Sequence, residues 1–154
     1  MMYRTVRFVN LVLAGVLAGN EFGTWAAVHP SLEKLSPPER IRAEQEVTRR
    51  FAAIMPAWMG STVVSCVLAL LFSRGLTGSR STLLGTACFV GMLASTRIGN
   101  VPINNRVLEI DPEKEQEEFA ELRERWDRLH TLRVVLNVAG LGFLISGALA
   151  EGHR

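Results

Sequence analysis

The chain has 154 residues, of which 48% are hydrophobic and 21% are charged, and its formal net charge is +2. This length predicts a single domain over residues 1–154, and the absence of a basic cluster interleaved with aromatic residues argues against a nucleic-acid partner. Cys66 and Cys88 lie in separate apolar stretches and form no CxxC pair, which argues against a thiol oxidoreductase.

Four apolar stretches are long enough, or nearly so, to cross a bilayer, which takes about 17–25 mostly apolar residues. We predict spans at about residues 5–28, 54–73, 81–97 and 133–150. Soluble helices pair an apolar stripe with a charged face, whereas the last three stretches are apolar all round. The sequence therefore predicts an all-α, integral, multi-pass membrane protein with a four-helix bundle.

Two other interpretations of the apolar stretches stay open. One is a soluble four-helix bundle with unusually apolar helices. The other is a cleaved signal peptide, because Arg4 and Arg7 precede the apolar residues 8–19. Basic residues occur on both sides of the predicted spans, so the positive-inside rule leaves the orientation of the bundle open.

In the first half of the chain, proline and glycine mark the ends of the helices. The first helix is predicted to end at His29-Pro30, and Ser36-Pro37-Pro38-Glu39 is a typical start for the second. The second helix is charged at first and then becomes the second span, with Pro56 at the join as a candidate kink. Residues 73–80 form a short turn, so the second and third helices should be antiparallel neighbours.

The second half of the chain repeats this pattern. Residues 97–105 contain glycine, asparagine and proline and are predicted to end the third helix. Asp111-Pro112-Glu113 then starts a charged helix that becomes the fourth span. Extensions of helices two and four, within residues 29–53 and 98–132, should form a helical extramembrane cap over one end of the bundle.

The first helix carries polar residues in an apolar setting. Asn10, Glu21 and Trp25 project from similar directions on an ideal helix. An ionisable group at membrane depth is costly unless it is paired or faces a cavity, so Glu21 is a functional-site candidate. His130, Arg133 and Arg97 are its candidate partners, and a Glu–Arg pair that only fixes helix registry is the alternative.

The fourth helix has the clearest spacing of candidate site residues. Trp126, His130, Arg133 and Asn137 follow an i, i+4, i+7, i+11 pattern, which places them on one helix face. An indole, an imidazole, a guanidinium and an amide in line suit a ligand surface. The alternative is that Trp126 and Arg133 act as interfacial anchors.

Asn100 and Asn104 lie at the predicted break of the third helix. Irregular backbone at membrane level is tolerated where it is buried in protein or lines a cavity. Their amides would either satisfy the broken helix carbonyls or contact a substrate.

A metal site is an open alternative. Glu21, His29 and His130 are a ligand set for iron or copper, or the two histidines for a haem, although no HxxxH or ExxH spacing is present. Gly60, Gly85 and Gly91 would permit close helix approach within one protomer or in a homo-oligomer.

Several of these motifs together resemble a known family. The motifs are Gly15-Val-Leu-Ala-Gly19, His29-Pro30-Ser31-Leu32, Asn100-Val-Pro-Ile-Asn104 and Trp126…His130…Arg133. In this order they resemble the anthrone-oxygenase-like family of small four-helix membrane proteins, over nearly the whole chain. Asn100, Pro102, Asn104, Trp126 and Arg133 match family positions, while the resemblance implies that Glu21 and His29 belong to a subset of the family with a more polar first helix.

The resemblance implies an oxygenase or related oxidoreductase acting with O₂ on a small, lipophilic, aromatic substrate, as in the oxidation of an anthrone to an anthraquinone. We expect the substrate to enter from the lipid bilayer and bind between helices one and four, under the cap. No cofactor is required if a base forms an electron-rich anion that reacts with O₂ directly.

The expected roles are as follows. His130 or His29 is the base, Glu21 orients it, and Arg133 stabilises the anion. The expected substrate contacts are Asn100, Asn104, Trp126, Asn137, Trp25 and Arg97. The non-catalytic rivals are a small carrier or channel, which would need a polar path across both leaflets, and an assembly factor with no pocket.

Overall fold

Four long helices account for nearly all of the computed structural model, which describes residues 2–151. They are α1 (Met2–Leu32), α2 (Pro37–Phe72), α3 (Ser79–Glu109) and α4 (Gln116–Glu151). Each packs against the next, and α4 packs back against α1, so the four form an up-and-down bundle. All four are long and apolar enough to cross a membrane, and the part of the chain that the structure describes contains no strand. The predicted all-α bundle of four such helices is confirmed.

The start of α2 follows the sequence signal. The Ser36 backbone N–H donates to the Glu39 carboxylate at 3.3 Å, the Ser36 side chain accepts from the first turn, and Pro37 opens the helix. This capping box satisfies two backbone donors that would otherwise be unpaired. α2 then runs through Pro56 without a break to Phe72, so the charged extension and the apolar stretch are one helix, as predicted.

The predicted ends of the first and third helices are wrong. α1 continues through Pro30 and α3 continues through Pro102. In each helix a π turn comes just before the proline, at Thr24–Val28 in α1 and at Thr96–Asn100 in α3.

These π turns explain why proline does not end the helix. The His29 N–H donates to the carbonyl of Thr24, and the Val101 N–H donates to that of Thr96, five residues back in both cases. The wider turn relieves the clash that a proline ring makes with the carbonyl four residues before it. The prolines at 30 and 102 therefore each follow a π bulge and do not mark a helix end.

The connection before α4 differs slightly from the prediction. Helical residues begin at Gln116 rather than at Glu113. The Glu113 N–H donates to the Asp111 carboxylate at 3.0 Å, and the Asp111 N–H donates to Glu115 at 2.6 Å. The first of these bonds lowers the pKa of Asp111. Asp111 thus shapes a turn ahead of the helix.

Small residues let α3 and α4 approach closely. A Cβ on Gly85 would lie 2.8 Å from the Leu144 side chain and 2.9 Å from the Gly140 carbonyl oxygen. Gly91 has its nearest such neighbour at 3.9 Å, and Gly60 has none within 4 Å. Of the three glycines singled out in the sequence, Gly85 serves helix packing inside this chain.

Two apolar clusters hold the molecule together at different levels. The bundle core comprises Ala14, Leu17, Met59, Cys66, Phe89, Met92 and Leu144. The second cluster comprises Ile41, Ile103, Val107, Ile110 and Phe119. It joins the charged halves of α2 and α4 to the end of α3, and it is the core of the predicted helical cap.

The outer surface of the bundle is apolar on every helix. Phe8, Val64, Leu83 and Val135, one from each helix, are all more than half exposed. The interior of the bundle, in contrast, encloses many polar side chains.

Candidate active site

A cavity of about 330 Å³ lies where the bundle meets the cap. All four helices contribute to it. Its apolar wall includes Phe51, Met55, Met59, Leu93, Leu108, Phe119 and Leu122. Its polar groups include Glu21, His29, Glu44, Arg123, Trp126, His130 and Arg133. A mostly apolar hollow with a few convergent polar groups is the usual form of a small-molecule site.

His130, Glu21 and Arg133 form the first polar set of this cavity. Arg133 Nη2 donates to Glu21 Oε2 at 2.6 Å, and its Nε donates to the same oxygen at 3.2 Å. His130 Nδ1 lies 3.3 Å from Glu21 Oε2. Glu21 and His130 are each 1% exposed, so the carboxylate is buried with His130 and Arg133, two of the three partners expected for it.

The geometry of this set fits a general base. His130 Nδ1 lies 3.1 Å from Arg133 Nη2 as well as beside Glu21. In the tautomer with its proton on Nδ1, the imidazole donates to Glu21, and the lone pair of Nε2 stays free. Nε2 is buried and has no hydrogen-bond partner among residues 2–151. A carboxylate on one ring nitrogen fixes the tautomer and orients the imidazole for proton transfer at the other.

A second set of the same kind lies beside the first. His29 Nδ1 is 3.1 Å from Glu44 Oε1, and Arg123 Nη1 is 3.0 Å from Glu44 Oε2. Arg123 also donates from Nη2 to Asp127 Oδ1 at 2.5 Å. His29 Nε2, like that of His130, is buried without a partner.

Trp126 connects the two sets. Its ring stacks on His130 with centroids 4.5 Å apart and meets His29 edge-on at 4.8 Å. Arg123 Cζ lies 4.1 Å from the indole centroid, and the indole N–H donates to Asn104 Oδ1 at 2.7 Å. Trp126 is thus a part of the cavity wall.

Sequence reasoning missed Glu44 and Arg123. Each lies among other charged residues of its helix, and its residue type does not distinguish it from them. Their helix positions were nevertheless informative. Glu44 lies three residues after buried Ile41, and Arg123 lies between Phe119 and Trp126 on the same face.

A shallower cleft lies between α1 and α4, on the other side of the histidines. It is lined by Trp25, Ala26, His29, Pro30, Glu33, Asp127 and His130. His29 and His130 line both this cleft and the cavity. The two imidazoles therefore separate the interior hollow from an outer cleft that carries two acids.

Comparison with known proteins identifies the family. The family model for anthrone oxygenase matches residues 45–143, well over half of the chain. The chain belongs to the anthrone oxygenase family. No curated protein and no solved structure matches it.

Residues inside the anthrone oxygenase match and residues before it together build the site. The match includes Trp126, His130 and Arg133, and it stops short of Glu21 and His29 in α1. The more polar first helix thus supplies one partner to each of the two polar sets, so the site of this family member is completed from outside the matched segment.

The remaining predicted contact residues divide into three groups. Arg97 and Asn104 line the cavity. Trp25 lines the outer cleft and is 44% exposed. Asn100 and Asn137 are fully buried and lie outside both linings, and Asn137 donates to the Arg133 carbonyl at 2.8 Å. We therefore do not retain Trp25, Asn100 and Asn137 as cavity contacts.

The expected three-ligand metal set is not assembled. Across residues 2–151, no group of three or more His, Cys, Asp or Glu side chains is arranged to hold a metal ion. Glu21 is bound by Arg133, and His29 is paired with Glu44 rather than with Glu21. Two imidazole nitrogens remain as the available ligands.

Proposed function

We propose that the protein is a multi-pass membrane oxygenase that uses O₂ to oxidise a small, lipophilic, aromatic C–H acid of the anthrone type. The observation that carries this proposal is the apolar cavity that contains two histidines, each with one nitrogen on a buried carboxylate and the other nitrogen free. Membership of the anthrone oxygenase family supports the same chemistry.

The distribution of polar residues supports a membrane location. The side chains that face outward from the bundle are large and apolar, and the ionisable side chains of the site are turned inward and paired. Ionisable residues in membrane proteins typically face the bundle interior and mark functional sites. A lipophilic substrate would reach the cavity from the bilayer.

The reaction proceeds through a carbanion in this proposal. His130 Nε2 takes a proton from the activated methylene carbon, Glu21 holds the imidazole by Nδ1, and Arg133 stabilises the enolate oxyanion of the deprotonated substrate. The electron-rich anion then reacts with O₂. Overall, a CH₂ group and O₂ become a C=O group and water, so atoms and electrons balance without another reductant.

The cavity has room for such a substrate. Its volume of about 330 Å³ lies at the lower end of the range of about 300–1,000 Å³ for small-molecule sites. Phe51, Phe119 and Trp126 supply aromatic surface to the walls. A flat ring system with one acidic methylene fits this lining better than a long flexible chain.

The proposal is tested with unsubstituted anthrone and the purified protein in detergent. Wild type should consume O₂ and form anthraquinone well above the protein-free rate at neutral pH. His130→Gln should lose this activity, while Glu124→Gln, an exposed change on the same helix, should retain it. Wild type that does no better than the protein-free solution would rule out anthrone-type oxidation.

A second candidate is a metal- or haem-dependent oxidoreductase. The observation that favours it is that His29 and His130 each present an unpartnered nitrogen while a carboxylate holds the other, as in many metal-ligating histidines. Elemental analysis and an absorption spectrum of the purified protein distinguish the two. A stoichiometric metal or haem lost in His29→Gln would favour this candidate.

A carrier or channel has less support. Four hydroxyl side chains, Thr62, Ser65, Thr82 and Thr86, are buried in the halves of α2 and α3 away from the cavity. Their hydroxyls donate to carbonyls of their own helices. The bundle core around Phe89 fills the space between them, so these residues do not extend the cavity.

A further inference from the structure

The two histidine sets carry different charges. In the first set, one acid, Glu21, faces one base, Arg133. In the second set, two acids share Arg123: Glu44, which is buried, and Asp127, whose side chain is 43% exposed. With both imidazoles neutral, the first set has no net charge and the second has one net negative charge.

Arg40 also attracts the Glu44 carboxylate, but its charge is balanced by an acid of its own. Glu33, the other acid of the outer cleft, pairs with Arg40 at 3.4 Å, which adds one charge of each sign. A proton on His29 therefore makes the second set neutral, whereas a proton on His130 makes the first set positive. Buried charge is tolerated where it is balanced, so His29 is the better place to hold a proton.

We propose that His29 is the general acid of the reaction and that Glu44, Arg123 and Asp127 are its positioning residues, while His130 is the base. This inference rests on the proposed function. It assigns separate tasks to two histidines that look equivalent in the sequence.

The oxidation needs both a general base and a general acid. In the first step His130 removes one methylene proton, the carbanion gives two electrons to O₂ in forming the C–O bond, and the peroxide anion regains that proton from His130. In the second step His130 removes the other methylene proton, and the C–H electron pair becomes the C=O π bond. The O–O bond breaks with its electron pair on the departing hydroxide, which takes a proton from His29 and leaves as water.

The two imidazoles lie close enough together for the site to return to its starting protonation state. After the second step His130 holds a proton and His29 lacks one. The two ring centroids are 5.5 Å apart. Transfer from His130 to His29 moves the proton from a positive set to a negative one. Because both rings also line the outer cleft, water there can serve the exchange.

Two measurements on the full-length protein with anthrone separate the steps. Exchange of the methylene hydrogens with D₂O in the absence of O₂ reports the first proton transfer. With O₂ present, the amount of anthraquinone formed per O₂ consumed, together with mass spectrometry after an acid quench, reports breakdown of the hydroperoxide.

His29→Gln and Glu44→Gln should keep anaerobic exchange close to the wild-type rate. Their anthraquinone formation should fall by about 100-fold, the usual contribution of a general acid, with the hydroperoxide adduct accumulating. His130→Gln should lose the exchange itself. Glu46→Gln is the matched control, because Glu46 lies on α2 near Glu44 but is exposed and bound only to Arg49 and Arg50.

Gel filtration and circular dichroism establish that each variant is folded, and Glu44→Gln carries the test if His29→Gln is not. The inference is overturned if both variants slow exchange and quinone formation in the same proportion, or if quinone formation keeps pace with O₂ uptake. A wild type that shows neither exchange nor O₂ uptake removes the proposed function, and this inference with it.

Discussion

Arg133 lies on α4 one turn after His130 and binds the carboxylate of Glu21 with two nitrogens. Both ends of this ion pair are buried. Removing one partner of a buried pair leaves the other charge uncompensated, at a cost of about 3–5 kcal/mol. The guanidinium therefore stabilises the α1–α4 contact and keeps Glu21 ionised beside the base.

Arg133→Ala should abolish anthrone oxidation, because Glu21 loses its cation and the substrate anion loses its stabilising charge. Arg125→Ala is the control, since Arg125 is an exposed arginine on the same helix. Activity and gel filtration are measured together on both variants. Loss of the folded protein in Arg133→Ala alone would instead support a purely structural role for the pair, and full activity would exclude Arg133 from the site.

Trp126→Phe separates the two contacts of the indole. Phenylalanine retains ring packing on His130 but loses the hydrogen bond to Asn104. We expect a stability loss of about 1 kcal/mol, the net value of one such bond, and a higher KM as the α3 wall of the cavity loosens. Thermal unfolding and steady-state kinetics measure the two effects. An unchanged KM would show that Asn104 is positioned without the indole.

At the scale of helices, α1 and α3 share one local structure, a π turn that begins with a threonine. Thr24 and Thr96 each stand six residues before a proline, and each hydroxyl donates to the carbonyl four residues back at 2.8 Å. Both π turns lie at the level of the cavity, where they turn Glu21, Thr24 and Thr96 toward the lining. π bulges recur at functional sites because they re-aim side chains without ending a helix.

The contact between α3 and α4 should be sensitive to added volume. Gly85→Ala places a Cβ within 3.0 Å of Leu144 and of the Gly140 carbonyl oxygen. Overpacking of this kind costs about 1–3 kcal/mol. Gly91→Ala on the same helix has room, with its nearest neighbour at 3.9 Å. The Tm of Gly85→Ala should fall while that of Gly91→Ala stays near wild type, and equal Tm values would contradict the tight contact.

Helix boundaries show where sequence reasoning reaches its limit. The capping box at Ser36 is a local signal, and it was read correctly because its partners lie within one turn. The helix ends predicted at Pro30 and Pro102 are wrong, because a helix break and a π bulge use the same residues and differ only in backbone register. That register is fixed by tertiary packing.

The site residues also divide into those that the sequence indicates and those that only tertiary packing reveals. Glu21, His130 and Arg133 were recognisable, because ionisable residues stand out in apolar stretches. Glu44 and Arg123 were not, because charged residues are ordinary in a cap helix, and their burial depends on the three helices packed against them. Which carboxylate pairs with which histidine is likewise a tertiary property that spacing along one helix cannot supply.

Across the whole molecule, the two ends of the bundle differ in structure. The cavity, the paired histidines and the charged cap lie at one end of the bundle, and the short connection between α2 and α3 lies at the other. Lys34, between α1 and α2, and Arg74, between α2 and α3, are exposed at these opposite ends. Four crossings would place the start of α1 and the end of α4 on the side of Arg74.

Sidedness in a membrane is therefore the last prediction. Lys34→Cys and Arg74→Cys should react with a membrane-impermeant maleimide from opposite sides of sealed vesicles, and each should react from both sides once the vesicles are permeabilised. The wild-type chain is the control, because Cys66 is buried and Cys88 is partly buried within the bundle. Labelling of both engineered cysteines from one side of intact vesicles would mean that α2 does not cross the bilayer. The cavity would then lie at a membrane surface, and a substrate could no longer enter it from the lipid.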